Sequence, residues 1–138
     1  MHIQQIGSVF ISVSNLERSV LFYTETLGLT CRGIEDWGDG KRGATLIFNP
    51  HPQNAALLTL AERQEEVDFK RESNFNLKCK HASELYESLQ SKGCRITSLE
   101  SWDSPWNHHV MFDLYDPDGN KINVIEMIPV AAKQGESF

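Results

Sequence analysis

The chain has 138 residues, 40% of them hydrophobic, which suffices for one well-cored domain and leaves no room for a second of ordinary size. Nineteen acidic against thirteen basic side chains give a formal charge of −6, which argues against a nucleic-acid backbone as partner and favours neutral or cationic ones. No stretch approaches the length of a membrane span, and MHIQQIGS lacks a basic region followed by an apolar run, so a cytoplasmic protein with no membrane partner is expected.

Val9, Ile11 and Val13 alternate with Ser8, Phe10 and Ser12, the period of a strand with one buried face. In VSNLERSVLFYTETLGL, which follows, Leu16, Val20, Tyr23 and Leu27 recur at helical spacing, predicting a helix over Asn15 to Leu27. A Ser14/Glu17 capping box would start it, and Gly28 in the left-handed region would end it. Thr30 to Trp37 and Arg42 to Phe48 read as a hairpin, with the glycines of WGDGKRG as turn residues rather than a phosphate loop, since no helix follows them. After the Pro-rich loop Asn49 to Asn54, Ala55 to Leu60 resumes a strand. Residues 61–72 are dense in charge and read as a surface linker.

The order then begins again. Phe75, Leu77 and Cys79 alternate with Asn74, Asn76 and Lys78, and Ala82, Leu85 and Leu89 share one face of a helix that Gly93 ends. An offset of 66 residues sets Asn74 against Ser8 and His81 against Asn15. Cys94 to Leu99, His108 to Tyr115 and Lys121 to Met127 read as three more strands, with Asp116-Pro117-Asp118-Gly119-Asn120 as the last turn. The organisation expected is a single α+β domain over 1–138. It comprises one βαβββ module at 6–60, the linker 61–72, a second βαβββ module at 73–128 and a frayed tail at 129–138.

Several residues carry candidate chemistry. Cys31, Cys79 and Cys94 form no paired motif and read as small buried residues. His108 and His109 are adjacent on a strand and point to opposite faces, so both cannot grip one ion. His109 serves either as a hydrogen-bonded wall residue or as a general acid or base, and Asp113, four residues along on the same face, orients it, binds a cationic ligand or makes a structural hydrogen bond. Trp37, Trp102 and Trp106 offer flat stacking surfaces, the last two on SWDSPW, read as a Pro-containing loop. They act as a ligand lid, a hydrophobic plug or a dimer contact.

VSNLERSVLFYTETLGL near the start and YDPDGNKINVIE near the end, joined by a duplicated βαβββ order, make the chain resemble the vicinal oxygen chelate superfamily. That family includes glyoxalase I, extradiol dioxygenases, fosfomycin-inactivating enzymes and bleomycin-resistance proteins. The resemblance implies an eight-stranded, mostly antiparallel, curved mixed sheet around a central cup, with the helices outside. It also implies a homodimer, and a divalent ion in the metal-using members. Carried over residue by residue, the metal positions are Ser8, Thr59, Asn74 and Asn123, none of them His, Glu, Asp or Cys. No metal and no other cofactor is therefore expected. Strand parity puts Phe10, Lys78, His109, Met111 and Asp113 toward the cup, with Trp37, Trp102 and Trp106 lining or covering it. The reading is a metal-independent protein that binds a small organic molecule, for sequestration of the bleomycin-resistance type. The alternatives are a glyoxalase-like lyase, isomerase or dioxygenase with metal at other positions, and a scaffold with a vestigial pocket.

Overall fold

A computed structural model describes residues 2–63 and 72–130, with side chains from 75 onward in the second stretch. The chain divides into two compact units, residues 1–69 and 70–138. In the first, β1 (Ser8–Val13) leads to α1 (Leu16–Leu21), which a π-helical turn, Phe22–Thr26, continues; β2 (Thr30–Gly38), β3 (Lys41–Ile47) and β4 (Leu57–Glu62) follow. The second has β5 (Glu72–Lys78), α2 (Ala82–Ser91), β6 (Glu100–Asp103), β7 (Asn107–Tyr115) and β8 (Lys121–Pro129). Each unit is βαβββ, and the first helical residues, Leu16 and Ala82, stand at the 66-residue offset read from the sequence.

The strands bond as two four-stranded sheets, β1-β4-β3-β2 and β5-β8-β7-β6, rather than as one of eight. In each, the first strand pairs in parallel with the last and the others pair antiparallel. The parallel pair follows from the chain path: the helical crossover sets the second strand of each unit parallel to the first, and two antiparallel reversals then bring the fourth strand back in that direction beside the first. The Asp39-Gly40 turn makes one of these reversals, both residues having positive φ (55° and 75°), as a two-residue hairpin requires.

Helix α1 packs on β3 and β4, and α2 on β7 and β8. Strand alternation supplies the matching surface. Ile11 and Val13 are buried while Phe10, of the opposite parity on the same strand, is exposed, and Phe112 and Leu114 are buried on β7. Tyr86 of α2 meets Phe112 edge to face, with ring centroids 5.4 Å apart. From α1 and its continuation, Leu16 and Tyr23 are fully buried.

The ends of the helices differ from the sequence expectation. Asn15, not Ser14, caps α1: its Oδ1 accepts from the Arg18 N–H at 3.0 Å. The helix then widens to a π turn, in which the Leu27 N–H donates to the Phe22 carbonyl five residues back. Thr24 promotes this because its hydroxyl donates to the Val20 carbonyl at 2.7 Å, competing for an acceptor of the α ladder. Gly28 ends the element at φ 82°, as expected.

Two further corrections concern the second unit. Residues 94–99 make no regular strand, only an isolated bridge from Ile96 to Leu114. The Thr97 hydroxyl accepts the Asp113 N–H at 2.9 Å, so a side chain takes a bond that a regular ladder would give to backbone. The sixth strand comes later, at Glu100–Asp103, and therefore carries Trp102, which the sequence reading put on a loop. The expected linker lies largely outside the described residues, except that Ala61 and Glu62 belong to β4 and Glu72 to β5; the expected tail likewise, except that Pro129 ends β8. Cys31, Cys79 and Cys94 are free and half-buried rather than buried. Burial, and next the Glu126 carboxylate, push the Cys79 thiol up, away from the reactive thiolate.

Candidate functional site

The face of the second sheet turned away from α2 gathers the candidates of that unit. Directly opposed residues of neighbouring strands share a face. Trp102, His109 and Met127 form one row across β6, β7 and β8. Glu100, Met111, Ile125 and Lys78 form the next, and Asp113, Asn123 and Asn76 the third. Lys78, Trp102, His109, Met111 and Asp113 are thus brought together. Met127 and Ile125 were missed, since only the β7–β8 register reveals them. Trp106 lies in the β6–β7 turn and is exposed; its carbonyl accepts from the Val130 N–H at 3.1 Å.

The aromatic end of this face is tightly built. The Trp102 indole lies flat on the His109 imidazole, centroids 4.2 Å apart and planes 7° apart. Trp102 is 49% exposed and His109 only 7%, and the His109 Nδ1 is buried with no hydrogen-bond partner among the described residues. His108 points the other way, its Nδ1 bonded to the Asp103 carboxylate. The polar end is formed by Asp113, whose Oδ1 accepts from Asn123 Nδ2 at 3.2 Å and whose Oδ2 stands 3.6 Å from Lys121 Nζ. Asp113 therefore engages Asn123 and Lys121 instead of orienting His109.

The first unit has its own face, away from α1. Phe10, Thr59 and Thr45 form a row across β1, β4 and β3, and Gly43 stands opposite Ala61. Trp37 lies over Gly43: an added Cβ there would sit 2.1 Å from indole carbons and 2.8 Å from the Leu60 carbonyl oxygen. Gly43 is thus a strand residue kept small by a ring, not a turn residue. Glu35 was also missed. Its carboxylate accepts from Trp37 Nε1 at 3.4 Å and from the Thr45 hydroxyl at 3.0 Å.

The metal positions implied by the resemblance hold neutral groups. Ser8 Oγ and Thr59 Oγ1 bond each other at 2.6 Å, and the Ser8 hydroxyl also lies 3.1 Å from the Leu57 carbonyl. Asn123 donates its amide to Asp113 and, at 3.5 Å, to the Phe112 carbonyl. The side chain of Asn74 lies outside the described residues. Among the described residues no group of three His, Cys, Asp or Glu is placed to hold an ion. Hydroxyls and an amide alone do not fit a transition metal. Glu126, the nearest glutamate after the DPDGN turn, is no substitute: it stands opposite Val110 on β7, the parity that faces α2. There its Oε1 and Oε2 accept from the Ala82 N–H (3.0 Å) and the His81 N–H (3.2 Å). The turn itself is self-contained, Asp116 Oδ1 accepting from the Asp118 and Asn120 N–H groups at 2.9 Å.

Residues 5–124 match the Glyoxalase/Bleomycin resistance protein/Dioxygenase superfamily, and the chain belongs to it. No curated protein matches the chain. Solved structures share the fold. TnmS3, an antibiotic binding protein from Streptomyces sp. CB03234, is 23% identical with a TM-score of 0.69, over 92% of this chain and 98% of that one. A superfamily member from Sphaerobacter thermophilus DSM 20745 is 22% identical with a TM-score of 0.75, over 91% and 99%. A glyoxalase family protein from Enterococcus faecalis is 21% identical with a TM-score of 0.66, over 91% and 100%. Among the described residues no helix is long and apolar enough to cross a membrane.

Proposed function

We propose that the chain is a metal-independent member of its superfamily that binds a small organic molecule, in the cytoplasm and as a homodimer. The observation that carries this reading is the face of the second sheet. It runs from the Trp102–His109 stack, past Met111 and Met127, to the Asp113–Asn123–Lys121 cluster. His109 and Asp113 are four residues apart on one strand, which sets the two ends about 13 Å apart. Such a face fits a ligand with an apolar aromatic body and a polar group at one end. TnmS3, of the same fold, is described as an antibiotic binding protein, which agrees with sequestration. The neutral donors at Ser8, Thr59 and Asn123 favour binding without an ion over metal-dependent catalysis. Exposed Trp106 and Ile128, both large and apolar, favour a contact with a second copy.

The test is to purify the protein from cells without denaturing it, then to measure released small molecules by mass spectrometry and metals by elemental analysis. An organic compound released from wild type and lost from Trp102→Ala, with well under one equivalent of divalent metal after dialysis, is the expected result. Near-stoichiometric metal with a chelator-sensitive activity would overturn it. Light scattering should give twice the chain mass of 15.7 kDa.

A further inference from the structure

His109 carries a contradiction that a ligand would resolve. It is 7% exposed, and its Nδ1 has no partner among the described residues. Whichever tautomer is present, that nitrogen is a donor or an acceptor, and leaving it buried and unpaired is unfavourable. The polar neighbours are otherwise engaged: His108 with Asp103, and Asp113 with Asn123 and Lys121. A hydrogen bond to a ring nitrogen lies in the ring plane, so its partner must arrive edge-on and not on top of the stack. The two fused rings of the indole are larger than the single imidazole ring it stacks on, so indole face extends past the stack. In the same row Met127, and two residues along the strand Met111, are half-buried and unbranched, flexible side chains that can yield space.

We propose that His109 Nδ1 is a ligand-binding atom: a flat heteroaromatic molecule bonds it edge-on, coplanar with the imidazole, and stacks under Trp102. The site lies wholly within the second unit. This rests on the preceding reading and narrows its ligand to aromatic rings with a ring nitrogen or N–H on the edge.

Matched probes test it. Isoquinoline differs from naphthalene by one acceptor nitrogen, and indole from indene by one N–H donor. Affinities are measured at a pH at which isoquinoline is uncharged, with a ¹⁵N-histidine NMR titration of wild type alongside. One member of the heteroaromatic pair, chosen by the tautomer, is expected to bind about tenfold tighter than its hydrocarbon match. The same titration moves the His109 Nδ1 resonance. His109→Phe abolishes the preference, whereas Trp102→Ala weakens both members of the pair and keeps their ratio. The wild-type resonance needs no variant, so the inference remains testable if His109→Phe fails to fold. Equal affinities, a preference that survives His109→Phe, or an unmoved Nδ1 resonance on saturation would overturn it while leaving the broader reading standing. Absence of binding by all four probes would also overturn it, and the compound released from purified protein reports on the broader reading separately.

Discussion

Gly43 illustrates how one residue records its surroundings. Its sequence context, between the charged Lys41-Arg42 pair and Ala44-Thr45, suggests a turn, yet it lies inside β3 because the Trp37 ring occupies the space of a side chain. Gly43→Ala should therefore destabilise the fold by about 1–3 kcal/mol, since the new methyl must move both an indole and the Leu60 carbonyl. Urea denaturation followed by tryptophan fluorescence measures this. In the Trp37→Ala background the same change should cost less but not nothing, because the backbone oxygen 2.8 Å away remains. Equal costs in both backgrounds would remove Trp37 from the explanation. His109 shows the limit of such reading. Parity assigns its face, but whether its nitrogens find partners depends on where Asp113 and Trp102 turn, and that depends on three strands at once.

At the scale of elements, the two modules repeat a device that their sequences conceal. The last strand of each carries a glutamate that caps the helix of the same module. Glu62 accepts from the Leu16 N–H at 2.9 Å, and Glu126 from those of His81 and Ala82. The free N–H groups of a helix's first turn favour a carboxylate there. Glu62 is also clamped by Arg42 at 2.9 Å, and Arg42 reaches on to Glu17. The Arg42 hydrogen bonds hold the Glu62 carboxyl below the ordinary value of 4.5, and the Leu16 N–H lowers it further. For Glu126 the backbone N–H of Ala82 is the main cause and that of His81 the next. Because both folded values are depressed, the carboxylates stabilise the fold fully above the unfolded value. That contribution is lost as pH falls through the folded values. Chemical denaturation across the acid range should show stability falling below about pH 4.5, and the Glu62→Gln/Glu126→Gln double variant should show a shallower fall. An identical slope would rule these caps out as the source.

For the whole molecule, the two sheet orders set a hierarchy of protection. In each sheet the last two strands are interior, β4 and β3 in one and β8 and β7 in the other, while β1, β2, β5 and β6 are edges. Amides of strands paired on both sides open only with larger unfolding events, so hydrogen exchange should be slowest at Ala44, Leu46, Leu58 and Leu60 and at Phe112, Leu114, Ile122 and Val124. These residues are also buried. Exchange should be fast in β6, four residues long at an edge. Equal protection of β6 and β7 would contradict the order.

The repeated βαβββ sequence was readable from the chain alone because it rests on local periodicities: alternation at Ser8–Val13, helical spacing at Leu16, Val20 and Tyr23, and turn residues at Asp39-Gly40 and Asp116–Asn120. Strand parity likewise separated Phe10 from Ile11 and His109 from Phe112, since alternation of side chains is a property of the backbone itself. Register is not local. It took the pairing of β6 with β7 to bring Trp102 onto His109, and of β7 with β8 to add Met127 and to turn Asn123 toward Asp113. The sixth strand fell later than expected because the Thr97 hydroxyl accepts the Asp113 backbone N–H, a choice made only when those segments meet. The same holds for Glu62 and Glu126. As sequence they are two charged residues near strand ends, and only the return of each last strand beside the start of its own helix makes them caps.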